Sequence, residues 1–375
     1  MNRDLLNVVF LTLTLGLSQT VSAAPANPSA DKARSEAEAK GYIFFSSHNE
    51  IVAEAKKEGK LRVLSGLSPE SIKAVTSAFR QRYPFVDITA QELTGIDALQ
   101  RVLLELKAGV SKEWDVITMA NDLYNEYPPY FKKFDIPRMA GQGVLQIPLK
   151  MIDPKNRNIV ALTAMIQVGV AYNKNLISHD KTPGTWEDYL KPEFKGKKFM
   201  ADIRPTEIAS LVPAWGLERT LDYARKLAAQ EPVWVRGGTR GMAALSAGEY
   251  PMFIGNNYKT IRRAQVKDRT GIIGYRLLEP IPVRLSESLG VTATSRSPHV
   301  ALLWLEFQAT PEAQKLMDEY EPFGASIHGP GSIQGQEIRG KRLSEVDWDH
   351  YVNLSDYQAK VVGAYGFPKA EIKGK

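Results

Sequence analysis

From Ile51 to Met119 the chain alternates between a helical period and an extended one. EIVAEAKKEGK reads as a short amphipathic helix closed by Gly59, and LRVLSGL follows as a strand. Ser68, Pro69 and Glu70 then supply an N-cap, a proline at the first helical position and an acid in the first turn. Ile72, Val75 and Phe79 fall on one face of the helix they open. FVDITA alternates as a second strand, and Thr94-Gly95-Ile96-Asp97 starts a helix carrying Leu99, Val102, Leu103 and Leu106 up to Gly109. WDVITM is a third strand. Strand-then-helix units in succession predict a mostly parallel sheet with helices on both faces.

A second run of the same kind extends from Gln167 to Ile273. QVGVAYN, YPMFIG and IIGYRLL are its strands; Trp186 to Leu190 is helical after a Pro183-Gly184 turn, and LVPAWGLERTLDYARKLAA is a helix interrupted near Pro213. The Pro- and Tyr-rich stretch from Asp122 to Ala161 reads as irregular cover, and SPHVALLWLEFQATPEAQKLMDEY as two further helices. The fold class this predicts is α/β with two lobes, each a mostly parallel sheet flanked by helices. One lobe spans 49–165 and is completed by about 286–320; the other spans 166–285 and is joined by 321–375. Ligands of open α/β sheets sit beyond the carboxyl ends of the strands, so two such lobes define a cleft between them.

The ends of the chain set the compartment. LLNVVFLTLTLGL behind Arg3, followed by Val21-Ser22-Ala23-Ala24, reads as a secretory signal peptide, residues 1–23, cleaved after Ala23. Residues 24–48 read as a flexible leader, with room for a short helix at the end of 25–41. There is no cysteine, which excludes disulfides and removes the acceptor for a lipid anchor. With no second hydrophobic span, the expected location is the periplasm. The formal charge of +6 is spread among acids rather than blocked, which argues against nucleic acid. No HExxH, GxSxG, P-loop or cysteine nucleophile occurs, so no enzyme activity is expected.

The order of motifs carries a resemblance. EAKKEGKLRVLSG, FRQRYPFVDI, LLELKAGVSKEWDVITM, VAYNKNLI, TPGTWEDYLKPEFKGKKFM, ALSAGEY and SPHVALLWLEFQATPEAQKLM, spread over residues 50–325, together resemble the periplasmic solute-binding proteins of ABC importers, in particular the ferric-iron-binding branch. The resemblance implies a type II binding-protein fold, hinged by strands that cross between the lobes. It also implies a monomer that delivers its ligand to an ABC permease and its ATPase. Ferric-binding members present two adjacent tyrosinates; here the matching stretch, GNNYKT, keeps Tyr258 and has Lys259 in the second place. An ammonium there repels Fe(III), a hard cation that needs several anionic oxygens. His48, His179, His299, His328 and His350 show no ligand spacing.

What remains suits an anion. Ser65, Gly66 and Ser68 lie between a strand and a helix, where backbone N–H groups favour negative charge, and Thr94 and Gly95 repeat the arrangement. Ser68 and Thr94 serve equally as plain N-caps. Arg204 in ADIRPTE can grip a carboxylate or phosphate with two parallel hydrogen bonds, or be a solvated arginine. Asn257, Tyr258 and Lys259 stand at a strand end, with Arg236-Gly237-Gly238-Thr239 as a weaker candidate and Glu287 and Ser288 near the second crossing. The expected ligand is a small anionic organic solute, a carboxylate, phosphonate or phosphate ester, with no cofactor and no protein-bound metal. Whether a metal bridges the anion is left open. The alternatives are Fe(III), a polyamine held by Asp122, Glu126, Asp202 and Glu207, and, more remotely, an exported enzyme on a similar fold.

Overall fold

The structure is a computed structural model of the 375-residue chain, and it describes residues 28–93, 96–111, 113–119, 121–320, 326–329 and 331–367. The signal-peptide expectation and Thr94 therefore lie outside the described residues. Ten strands form one connected sheet: β1 (Lys60–Ser65), β2 (Asp87–Glu92), β3 (Val116–Thr118), β4 (Ile159–Asn173), β5 (Met200–Asp202), β6 (Val233–Val235), β7 (Met252–Asn257), β8 (Ile273–Arg276), β9 (Ile281–Val291) and β10 (Leu343–Val346). The order is β2-β1-β3-β9-β4-β7-β5-β6, with β10 on β9 and β8 on β4.

β4 and β9 organise the molecule. β1 pairs in parallel with β2 and β3, and β3 meets the end of β9 in antiparallel fashion through Val116↔Val291 and Thr118↔Leu289. β4 runs antiparallel to β9 from Ile159 to Ile166 and then passes to β7, starting at Gln167↔Asn257. β5 and β6 complete that side in parallel. Two strands thus tie a first lobe to a second, the connection expected of a hinged fold. All fifteen residues of β4 are buried, so the strand has no polar alternation. That is why its first residues, 159–161, read in the sequence as irregular cover and the strand is seen only from Gln167.

Each lobe carries its own core. In the first, Phe79, Trp304 and Phe307 are almost fully buried, with Phe79 5.1 Å from the Trp304 ring and 5.4 Å from Phe307. In the second, Trp186 donates its indole N–H to the Pro280 carbonyl at 3.1 Å, and Tyr189 donates its hydroxyl to Gly169 at 3.0 Å. Burying one such side chain stabilises by about 1.5–3 kcal/mol. The C-terminal segment joins the second lobe: helix Leu354–Tyr365 packs on helix Leu217–Ala228, and Tyr365 sits 4.6 Å from Trp234.

Two local elements differ in detail from a plain leader and a regular helix. The leader holds helix Pro28–Glu38, docked by buried Ala33 and Ala37 and by the Arg34–Glu50 ion pair at 2.6 Å, so residues 28–48 are ordered against the first lobe. The stretch 187–190 is a single 3₁₀ turn. The interruption near Pro213 is real: helix Val212–Trp215 stops at Gly216, φ 78°, before Leu217–Ala228 begins. Among the described residues no helix is long and apolar enough to cross a membrane.

Candidate functional site

A cavity of about 650 Å³ opens between the lobes where β4 and β9 cross. The first lobe contributes Gly66, Thr118 and Met119; the crossing strands contribute Gln167, Arg284, Ser286 and Glu287; the second lobe contributes residues 202–207, Asn256, Asn257 and Thr260. Helix Leu354–Tyr365 closes one side, where Gln358 donates to the Thr206 hydroxyl at 2.8 Å.

On the first-lobe wall, β1 ends in the loop that opens helix Pro69–Arg82. Ser65 is buried, and its Oγ accepts from the Leu67 N–H at 3.2 Å. Ser68 Oγ accepts from the Ser71 N–H at 3.4 Å as the helix N-cap. Neither is among the cavity-lining residues, so both serve the turn. Gly66 does line the cavity, and a Cβ placed on it would fall 2.0 Å from Glu287 Oε2. The glycine makes room for that carboxylate. Glu287 itself has φ 49°, a left-handed backbone that costs a non-glycine residue on the order of 1 kcal/mol or more.

The second-lobe wall mixes charges. Asp202, at the end of β5, accepts from the Arg204 N–H at 2.9 Å and the Gly237 N–H at 3.1 Å. Arg204 lines the cavity with its side chain 65% exposed and Nε 3.8 Å from Asp202 Oδ1, an ion pair that solvent screens. Glu207 is buried at the cavity edge, and burial pushes its carboxyl up from 4.5 to about 7, with the neighbouring Asp202 adding to the rise and Arg284 and Arg204 opposing it. Gly255, φ 72°, gives it space: a Cβ there would lie 2.6 Å from Glu207 Cγ.

The stretch Asn256 to Lys259 divides. Asn256 is buried, accepts from the Asn257 N–H at 2.8 Å and donates to the Gly238 carbonyl at 3.3 Å. Asn257 caps helix Tyr258–Lys267, its Oδ1 accepting from the Thr260 N–H and hydroxyl, both at 2.8 Å. Both asparagines face the cavity; Tyr258 and Lys259 are not among its lining residues. Tyr258 is 1% exposed, its ring edge-on to Tyr275 at 5.6 Å, and its hydroxyl donates to Glu337 of the C-terminal segment. Tyr275 donates to the other Glu337 oxygen at 2.7 Å. Burial, with the Glu337 carboxylate next, raises the Tyr258 phenol far above its ordinary range, which keeps it protonated.

Of the candidate residues, Gly66, Arg204 and Asn257 are brought together in the cavity, and Gly238 and Thr239 of the weaker candidate line it as well. Glu287, which the sequence places near the hinge, joins them. Arg284 is the residue the sequence reading misses. It lines the cavity from β9 with its Nε buried and without a hydrogen-bond partner. The available signal was the polar residues Arg284, Ser286 and Ser288 at alternate positions of the strand. Of the acids considered for a polyamine, Asp202 and Glu207 reach the cavity, whereas Glu126 pairs with Lys107 and is not among the lining residues. Among the described residues no three His, Asp or Glu side chains gather closely enough to hold a metal ion.

The comparisons agree with this architecture. FutA (IdiA) of Trichodesmium, solved in complex with iron and citrate ligands, superposes with a TM-score of 0.62 at 18% identity, covering 83% of this chain and 100% of that one. Ferric iron-binding protein A of Mannheimia haemolytica, in an open conformation, gives 0.63 at 17% identity, covering 82% and 100%. Iron-bound HitA of Pseudomonas aeruginosa gives 0.58 at 17% identity, covering 81% and 99%. At these identities the likeness is one of fold, the two-lobe type II binding-protein fold. No curated protein matches the sequence significantly. The profile of the bacterial extracellular solute-binding proteins matches residues 74–329, more than half of the chain, and the protein belongs to that family.

Proposed function

We propose that this protein is the periplasmic substrate-binding component of an ABC importer, and that its cleft captures ferric iron carried as a complex with an organic carboxylate. Relatives of the same fold that are named for iron or ferric ion weigh for iron over a metal-free anion. The observation that carries the reading is the lining of one cavity by Arg204 and Arg284 together with Glu287. Fe(III) needs several hard oxygen ligands, and among the described residues no three His, Asp or Glu side chains gather to supply them. A carboxylate chelator supplies the missing oxygens, and the arginines hold its outer charge. Closure of the lobes about β4 and β9 then follows from tighter binding to the closed state, which is what a permease recognises.

The test is a thermal-shift series on ligand-stripped protein with Fe(III)-citrate, citrate alone and spermidine. A ligand at about a hundred times its dissociation constant adds about 2.7 kcal/mol to folded stability. Fe(III)-citrate is expected to give the largest shift. An equal shift with citrate alone establishes the second reading, a metal-free organic anion, which the unpartnered Nε of Arg284 favours. A shift with spermidine only sinks both.

A further inference from the structure

We infer that the cleft is electrically polarised and that Glu287 makes it selective for a ligand whose carboxylates surround a positive centre, rejecting bare polyanions. The inference deepens the chelate reading and rests on it for the identity of the positive centre, but its own evidence is the shape of β9. Residues on a regular strand alternate between faces. Arg284 and Ser286 face the cavity by that rule, and Leu285 is buried on the opposite side. Glu287 should follow Leu285, yet it lines the cavity too. Its φ of 49° breaks the alternation and turns the carboxylate inward. Such an outlier persists only where the surroundings fix it, and it is an observation from which function is inferred rather than the reverse.

Gly66 is the second half of the arrangement. With Glu287 Oε2 2.0 Å and Oε1 3.3 Å from where a Cβ would stand, the carboxylate lies on the first-lobe loop that opens helix Pro69–Arg82. That loop is the place the sequence marks for an anion, and the protein fills it with its own. Negative charge from β9 therefore faces the ligand beside the first-lobe loop. Arg284 and Arg204 line the same cavity, and of the acids beside them Asp202 accepts the N–H groups of Arg204 and Gly237 while burial pushes the Glu207 carboxyl toward its protonated form. A polyanion that satisfies the arginines is forced against Glu287; a chelate presents its cation there instead. Like charges brought together in such a site oppose binding strongly.

The experiment titrates Fe(III)-citrate, citrate and inorganic phosphate into the wild type, Glu287→Gln and Glu287→Gly. The glycine variant adopts the left-handed backbone without strain, so it folds even where the glutamine variant fails. Both variants are expected to bind phosphate and citrate about tenfold or more tighter than the wild type, and to lose the preference for Fe(III)-citrate over citrate. Unchanged phosphate and citrate affinities in folded variants overturn the inference. A wild type that ignores Fe(III)-citrate while the variants gain phosphate binding sinks the chelate reading and leaves the polarity standing.

Discussion

Replacing Tyr258 with phenylalanine separates a ligand-binding phenol from a structural one. In the structure the hydroxyl donates to Glu337, a hydrogen bond to a charged group, and its ring packs edge-on to Tyr275. A bond of that kind contributes about 1.5–3 kcal/mol, and a half-buried carboxylate oxygen left without its donor adds to the loss. Two features reduce it: Tyr275 still donates to Glu337 at 2.7 Å, and phenylalanine keeps the ring contact. The expected cost is therefore about 1–2 kcal/mol, read as a lower urea midpoint with tryptophan fluorescence as probe. Affinity for Fe(III)-citrate should stay within about twofold, because the hydroxyl is not part of the cavity. Glu337→Gln should destabilise in the same direction. A Tyr258→Phe protein of unchanged stability that loses about tenfold or more in iron affinity refutes this placement and returns the phenol to the ligand.

Other consequences follow from the same walls. The folded chain holds a proton on Glu207 between about pH 4.5 and 7, where the unfolded chain has released it, so stability should fall as pH rises through that window by up to about 3 kcal/mol. Glu207→Gln should flatten the dependence and raise the urea midpoint at pH 8; a wild-type profile already flat between about pH 4.5 and 7 contradicts the burial argument. Gly255→Ala combines a φ of 72° with a Cβ 2.6 Å from Glu207 Cγ and should cost more than about 2 kcal/mol, measured the same way. Gly66→Ala meets only the far end of the Glu287 side chain, so its stability should change by less than about 0.5 kcal/mol while the preference for Fe(III)-citrate over citrate weakens. Arg204→Ala, at an exposed site, should leave stability unchanged and weaken Fe(III)-citrate binding about tenfold by calorimetry; unaltered affinity removes Arg204 from the site.

The first lobe was legible because its signals are local. Gly59 at φ 66° ends one helix, and Ser68 with Pro69 opens the next, as their positions in the sequence predict. β4 was half hidden, since a strand buried along its whole length has no period to read. The lining of the candidate cavity was legible only where backbone position decides it. Gly66, Arg204 and Asn257 follow strand ends and reach the cavity. Tyr258 also follows a strand end, but Asn257 caps a helix there and turns the phenol into its first turn, toward Tyr275 and a Glu337 that lies 79 residues away. No local pattern announces that contact. Glu287 is aimed by a backbone angle that glutamate rarely adopts, and Arg284 by a strand register that only the β4–β9 pairing fixes.

The most direct test of the central claim is the visible absorption spectrum recorded while Fe(III)-citrate is titrated into the ligand-stripped protein. The account predicts saturable uptake of the iron complex with no tyrosinate-to-iron charge-transfer band, because Tyr258 stays protonated on Glu337 and the chelator supplies the oxygen ligands. A coloured band that grows in proportion to bound iron would contradict it, placing a phenolate on the metal and the C-terminal segment in the path of the ligand.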